Sequence, residues 1–433
     1  MFAGGIQNIV KVPELWSRIK FVLIALAIYR IGCFVPTPGI DGQALASIFE
    51  QAKGTLLGVF NMFSGGALER LSVFALGIMP YISASIIFQL LEAVVPSLEA
   101  MKKEGEAGRK KITQYTRYAT VGISIVQGFG IAFGLEAMQG PAGEAVVLVP
   151  GWSFRILTVI TLTAGTAFLM WLGEQMTERG IGNGISILIF AGIIVRFPSA
   201  IINSFQMLRN GELGPVTVLI ILILMLIVVA FILFCEKGQR RILISHGRRV
   251  MGRSAEGSHL PLKINTAGVI PPIFASSLLL FPATIAGMLK FDWVNTAVGM
   301  LTPDKLLYNA IYVALIIFFC YFYTAVTFNP ADIADNLKKS GSYIPGIRPG
   351  ISTSEYIDKV LSRLTFGGAI YISLVCVLPT IFIARFNVPF YFGGTGLLIV
   401  VGVALDTAQQ IESHLLAREY EGFMKSGRIK GRR

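Results

Sequence analysis

Four cysteines and three histidines are the side chains of this 433-residue sequence best suited to nucleophilic or metal chemistry. Cys33, Cys235, Cys320 and Cys376 stand in or at the ends of apolar stretches with no CxxC spacing, the pattern of packing residues rather than of a thiol pair or a metal set. His246 and His259 lie in a basic stretch and His414 opens the C-terminal tail, none with a second ligand at helical spacing. The sequence holds no HExxH, no GxSxG elbow and no Walker loop, and the glycines of GIGNG around Gly182 merely follow a short loop and open an apolar run. No enzyme chemistry and no cofactor are expected.

What remains is the chemistry of hydration. Arg30 is the one charge expected near the centre of an apolar span, where a charged group is costly and serves either a coupling site or a structural role such as binding carbonyls. Neutral polar groups are more frequent: Ser83, Ser85 and Gln89 in one span, Gln127 in the next, and Asn265, Thr266, Ser276, Ser277 and Thr284 further on. Such groups tie helices together by hydrogen bonds, or line an interface that opens, where they exchange protein partners for water. An ion-coupled carrier would need a midplane acid, and an intramembrane enzyme a nucleophile with its base; neither is visible.

The elements that carry these groups are membrane helices. Hydrophobic residues make up 54% of the chain and charged residues 14%, against about a quarter charged in a soluble domain. Ten spans are expected near 21–36, 73–92, 117–138, 154–172, 183–202, 215–235, 266–288, 306–328, 364–384 and 392–411. Residues 1–20 show no cleavable signal peptide, so the first span is the expected targeting signal. With the N-terminus inside, the cytoplasmic segments carry 26 Lys and Arg and the opposite loops 7, which places both termini in the cytoplasm.

One apolar stretch is broken. Within FNMFSGGALERLSVFALGIMPYISASIIFQLL (60–91), Gly65 and Gly66 interrupt the run and Glu69 and Arg70 spoil it as a span, and an uninterrupted apolar run begins only after Leu71. Lipid cannot satisfy the free backbone groups of such a piece, so it must be buried in protein or line a cavity. That is the signature of a pore with a stopper.

Two loops exceed what topology requires. Residues 236–265 carry seven basic residues and read as a basic β-hairpin, and residues 329–362 hold NLKKSGSYIPGIRPG, whose prolines and glycines fix a turn presenting Arg348. Ribosomal RNA, anionic lipid and an acidic protein groove all satisfy these electrostatics, and composition does not choose among them.

These residues carry a resemblance that covers essentially the whole chain. The broken segment, EGEAGRKKITQYTRY, WLGEQMTERGIGNGISILIFAG, EKGQRRI, HLPLKINTAGVIPPIFASSLLLFPATIA, NPADIADNLKKSGSYIPGIRPG and VPFYFGGTGLLIVVGVALD follow one another as in the bacterial SecY family, the channel subunits of the general protein translocase. The resemblance implies an all-α polytopic membrane protein: ten transmembrane helices in two inverted five-helix halves around a central hourglass pore with a plug. The halves are 21–202 and 203–411, between a cytoplasmic N-terminus (1–20) and a basic cytoplasmic tail (412–433). The plug is expected at about 55–72 and includes Phe63, Ser64, Gly65, Gly66 and Leu68; the pore ring matches Ile78, Ile82, Ile185, Ile189, Ile273 and Ile399. The lateral gate matches Ser83, Gln89, Gln127 and Phe281, and Arg240, Arg241, Arg248, Arg249 and Arg348 fall on the docking loops. The implied function is a protein-conducting channel of the inner membrane, not an enzyme. It passes unfolded secretory polypeptides and releases apolar segments sideways, driven by the SecA motor, the ribosome or the proton-motive force. SecE and SecG are the implied subunits, with signal peptides and nascent chains, SecDF, YidC and anionic lipid as further partners. Pro271-Pro272 departs from the family's single proline and is expected to stiffen or kink its helix.

Overall fold

The computed structural model describes residues 12–51, 61, 64–138, 144–211, 214–246, 258–286, 305–386 and 394–426. The chain divides into two compact units, one of Met1–Ser199, Leu280–Gly299 and Ile399–Arg433, the other of Ala200–Leu279 and Met300–Leu398.

The first unit begins with α1 (Pro13–Gly32), opened by a proline whose missing N–H costs nothing in a first turn. A short α2 (Gly42–Gln51) follows, its first amides at Gln43 and Ala44 donating to the Asp41 carboxylate. The second expected span starts late. Residues 72–78 form turns, and α3 (Met79–Val94) begins only where Pro80 can sit in its first turn. Val95 and Pro96 then end it, because the residue before a proline is pushed out of the helical region. The next helix, α4 (Pro96–Lys103), leaves at 96°, and Lys102 bridges the corner to Glu92 at 3.1 Å.

Helices α5 (Glu106–Ala137) and α6 (Trp152–Arg179) are the long members of this unit. Thr116, Thr120 and Ser124 form a buried stripe along α5, each hydroxyl donating to the carbonyl four residues back, so they demand no partner from another helix. At the end of the pair Glu136 receives both Arg155, at 2.6 Å, and the amide of Gly151. The fifth expected span is broken: α7 (Gly184–Ile194), capped by the Asn183 side chain, gives way at 195–196 to α8 (Phe197–Arg209), whose Pro198 explains the interruption.

In the second unit α9 (Pro215–Lys237) leads into the hairpin, β1 (Gln239–His246) and β2 (Ser258–Lys263), antiparallel with Gln239 opposite Lys263. The helix α10 (Ile270–Ala286) carries Pro271 and Pro272 in its first turn, where neither removes a helical hydrogen bond, so this pair starts the helix rather than interrupting it. Asn265 and Thr266 precede this helix instead of lying within it. There follow α11 (Leu306–Thr327), α12 (Pro330–Lys339), β3 (Ser342–Tyr343) and α13 (Ile351–Phe386). The final helix α14 (Gly394–Ser426), which belongs to the first unit from Ile399 onward, runs well past residue 411, since Glu412, Leu415, Leu416, Ala417, Arg418, Glu419 and Glu421 are all strong helix formers. Among the described residues seven helical stretches are long and apolar enough to cross a membrane, α7 and α8 together counting as one, or eight if α3 and α4 count as one bent span.

Candidate functional site

The broken segment answers its backbone question inside the first unit. Gly65, Gly66 and Gly77 have φ of +68°, +82° and +58°, a region that L side chains avoid, and so allow the chain to fold back on itself. The Gly66 amide donates to the Asn61 carbonyl, the Ser72 amide to Ala67, the Thr37 amide to Leu71 and the Val73 amide to Val35. The last two pair the segment with the chain that leaves α1, as the Pro36–Ser72 bridge records. Ser64, Ala67, Leu68, Leu71 and Ser72 are all buried. Leu71 adopts a φ of +36°, a strained conformation for a leucine, where the segment pairs with the chain leaving α1.

The seat is made by close backbone approach. A Cβ on Gly32 would overlap the Phe74 ring, one on Gly165 would overlap the Val73 carbonyl oxygen, and one on Gly65 would come to 3.0 Å from the Cα of Gly192. Tyr29, Phe74, Phe168 and Trp171 form a continuous run of ring contacts across α1, the segment and α6, with successive centroids 6.2, 5.8 and 5.7 Å apart.

Charge holds the same segment. Arg30 donates through Nη1 to the Gly65 carbonyl at 3.0 Å, so the one expected intramembrane charge binds a carbonyl. Its guanidinium and that of Arg70 also lie over the Phe34 ring, at 4.8 and 4.4 Å from its centre. Glu69 accepts from Arg196 Nη2 and from Asn61 Nδ2, each at 2.9 Å, and its amide donates back to Asn61 Oδ1. Sequence reasoning missed Asn61 and Arg196 as contributors. Glu69 was read there only as a charge that spoils a span, and the signal for its partner was an Arg at the end of an apolar run, two residues before Pro198.

Of the expected plug residues, Ser64, Gly65, Gly66 and Leu68 lie in this seat and Phe63 is outside the described residues. Among the expected ring residues, Ile78, Ile82, Ile189, Ile273 and Ile399 are buried and Ile185 is half-buried. Ile78 immediately precedes α3, yet its carbonyl still accepts from the Ile82 amide at 3.1 Å, so the two remain one turn apart. Ile185 and Ile189 are likewise one turn apart on α7.

Of the expected gate residues, Ser83 is half-buried, Gln89 donates to Ser85 on its own helix, and Gln127 is buried with no hydrogen bond to its Oε1 among the described atoms. The side chain of Phe281 lies outside the described residues. Ser276 and Ser277 both donate to the Ile273 carbonyl of their own helix, whereas Thr266 shares a hydrogen bond with Thr324 at 3.2 Å.

The two long loops, read separately in the sequence, meet in one sheet. β1 lies between β2 and β3, pairing Ser245 with Tyr343 and His246 with Ser342. Ile242, Leu262, Ile344 and Ile357 form a core beneath it, flanked by Phe328, Ile333 and Leu337. Arg240 and Arg241 are exposed on β1. Arg348 is exposed on a turn bounded by Gly346 and Gly350 at φ +82° and +109°, its carbonyl held by the Thr353 hydroxyl. Arg248 and Arg249 lie outside the described residues. The cysteines are all free thiols, buried at Cys33, Cys320 and Cys376 and half-buried at Cys235.

Residues 72–408 match the SecY family model. The chain is 53% identical over 425 residues to the protein translocase subunit SecY of Escherichia coli K12, and 53% identical over 428 residues to that of Vibrio cholerae, covering 96% of both chains in each case. Its fold is that of a solved protein-conducting channel, with a TM-score of 0.64 at 17% identity over 96% of this chain and 94% of the other. A structure described by its plug domain, which stabilises the closed state of a SecY channel, matches with a TM-score of 0.64 at 18% identity over the same shares. Sec61 from a canine ribosome–channel complex matches at 0.63 and 17% over the same shares. Its relatives are multi-pass channel subunits of bacterial membranes rather than enzymes, and the chain belongs to the SecY family of protein translocase subunits.

Proposed function

We propose that this chain forms the pore through which unfolded secretory polypeptides leave the bacterial cytoplasm, and that it releases apolar segments sideways into lipid. Both termini lie in the cytoplasm, as the Lys and Arg asymmetry of the loops requires. The observation that carries the reading is the segment around Gly65 and Gly66: an irregular stretch between membrane helices, with many of its backbone groups hydrogen-bonded and most of its apolar side chains buried in its own unit. Residues 55–72 are the plug. Ile78, Ile82, Ile185, Ile189, Ile273 and Ile399 form an apolar collar that offers an ion no substitute for its hydration shell while yielding to any passing side chain.

Ser83, Gln89, Gln127 and Phe281 border the lateral gate. The basic sheet with Arg240, Arg241 and the Arg348 turn, continued by Arg248 and Arg249, is the docking platform for the SecA motor or the ribosome. SecE and SecG complete the channel, SecDF, YidC and anionic lipid assist it, and energy comes from the motor, the ribosome or the proton-motive force. The test is a Ser83→Cys, Phe281→Cys pair in a chain whose four native cysteines are replaced. A disulfide, which needs Cα atoms within about 7 Å, should form on oxidation and stop export, and reduction should restore it. Efficient crosslinking with undiminished export would overturn the gate.

A further inference from the structure

We propose that Glu69, Arg196 and Arg30 are positioning residues that latch the plug shut and so set how strong a signal sequence must be to open the channel. The proposal rests on the reading of 55–72 as the plug. Arg30 on α1 grips the Gly65 carbonyl, and Arg196, at the break between α7 and α8, grips the Glu69 carboxylate four residues later. Helix α1 and the break between α7 and α8 thus hold the same short segment at two points. The Asn61 amide, bonded to both the carboxylate and the amide of Glu69, closes the loop on itself, so the carboxylate is aimed before Arg196 meets it.

The side chains of Arg196 and Glu69 are 26% and 33% exposed. Neutralising either removes a charge-assisted link to the segment at a partly shielded site, so the seated plug loses more than it would at an open surface. The break that presents Arg196 matters equally. Had α7 continued without interruption past 195, the guanidinium would project at another angle; Pro198 fixes the turn instead.

A signal sequence that binds only the unplugged channel gains apparent affinity in proportion to the fraction of channels already unplugged. Weakening the latch should therefore raise resting leak and relax signal stringency together. Glu69→Gln or Arg196→Gln should each increase ion conductance in planar bilayers about five-fold, the effect of an ion pair of ordinary strength on a two-state equilibrium. The same variants should export a precursor with a crippled signal, at unchanged abundance and unchanged export of a normal precursor. The exchanged pair, Glu69→Arg with Arg196→Glu, should restore tightness and stringency, which a merely structural role for either residue would not produce.

Deletion of residues 60–68 is run beside them. If the single variants stay tight while the deletion leaks, the latch is overturned and the plug stands. If the deletion also stays tight, the plug reading falls with it. If the exchanged pair leaks as much as the single variants, the pairing of Glu69 with Arg196 is not what positions the plug.

Discussion

The segment proposed as the plug and the basic sheet are both insertions between helices, and they are held in opposite ways. The sheet has a six-pair ladder between β1 and β2 and a continuous aliphatic core of Ile242, Leu262, Ile344 and Ile357. The plug segment has neither: turns at three positive-φ glycines, a strained Leu71, isolated backbone bonds and charged contacts at its rim. A ladder above a dry core opens cooperatively and at high cost. A segment held by a few separate links opens piecemeal. The contrast matches the proposed roles, since a docking platform must transmit force without deforming and a stopper must leave.

The comparison is most exposed at Ile357, which is wholly buried beneath the sheet. Ile357→Ala should destabilise the platform by about 2–5 kcal/mol through the cavity it leaves. Amide exchange across Gln239–His246 should accelerate accordingly while exchange in 64–78 is untouched; acceleration in both would mean that the two regions are not energetically separate. Gly165→Ala is the converse test. Its methyl group would collide with the Val73 carbonyl, and overpacking of this kind costs about 1–3 kcal/mol. Faster exchange confined to 64–78, with raised resting conductance, is the expected result, and an unaffected plug segment would show that the seat is looser than drawn.

The smallest effect on stability belongs to Arg348→Glu. On an exposed turn it should change unfolding by less than about 0.5 kcal/mol, yet impair motor-driven export, because reversed charge opposes an acidic partner. Equal loss of protein level and export would make Arg348 part of the fold.

What could be read in the sequence was whatever is local. Apolar runs announced the helices, glycine pairs announced the broken segment, and the ILIS stretch among basic residues announced the hairpin. Helix ends were placed less well where proline decided them: α3 starts after its expected point at Pro80, and the span around Arg196 is split by Pro198. Long-range pairing left little trace. Nothing in the local pattern joins Glu69 to Arg196, which stand on either side of five helices, or β3 to β1, because an ion pair or a two-residue strand is specified by where the chain returns rather than by any periodicity. The buried polar groups were visible as residue types but not as partners. Ser276 and Ser277 turned inward to their own helix, whereas Thr266 reached Thr324.

The pairing of β3 with β1 also imposes an order on biosynthesis. The β1–β2 hairpin can close as soon as Lys263 has left the ribosome, but its third strand and the Ile344 and Ile357 side chains of its core arrive 79 to 94 residues later, after α10 and α11 have been made. A chain interrupted before that point carries an open-edged basic hairpin and no finished platform. On the docking role proposed above, a newly made channel becomes able to receive a motor or a ribosome only after the segment carrying β3 and Ile357 has been made.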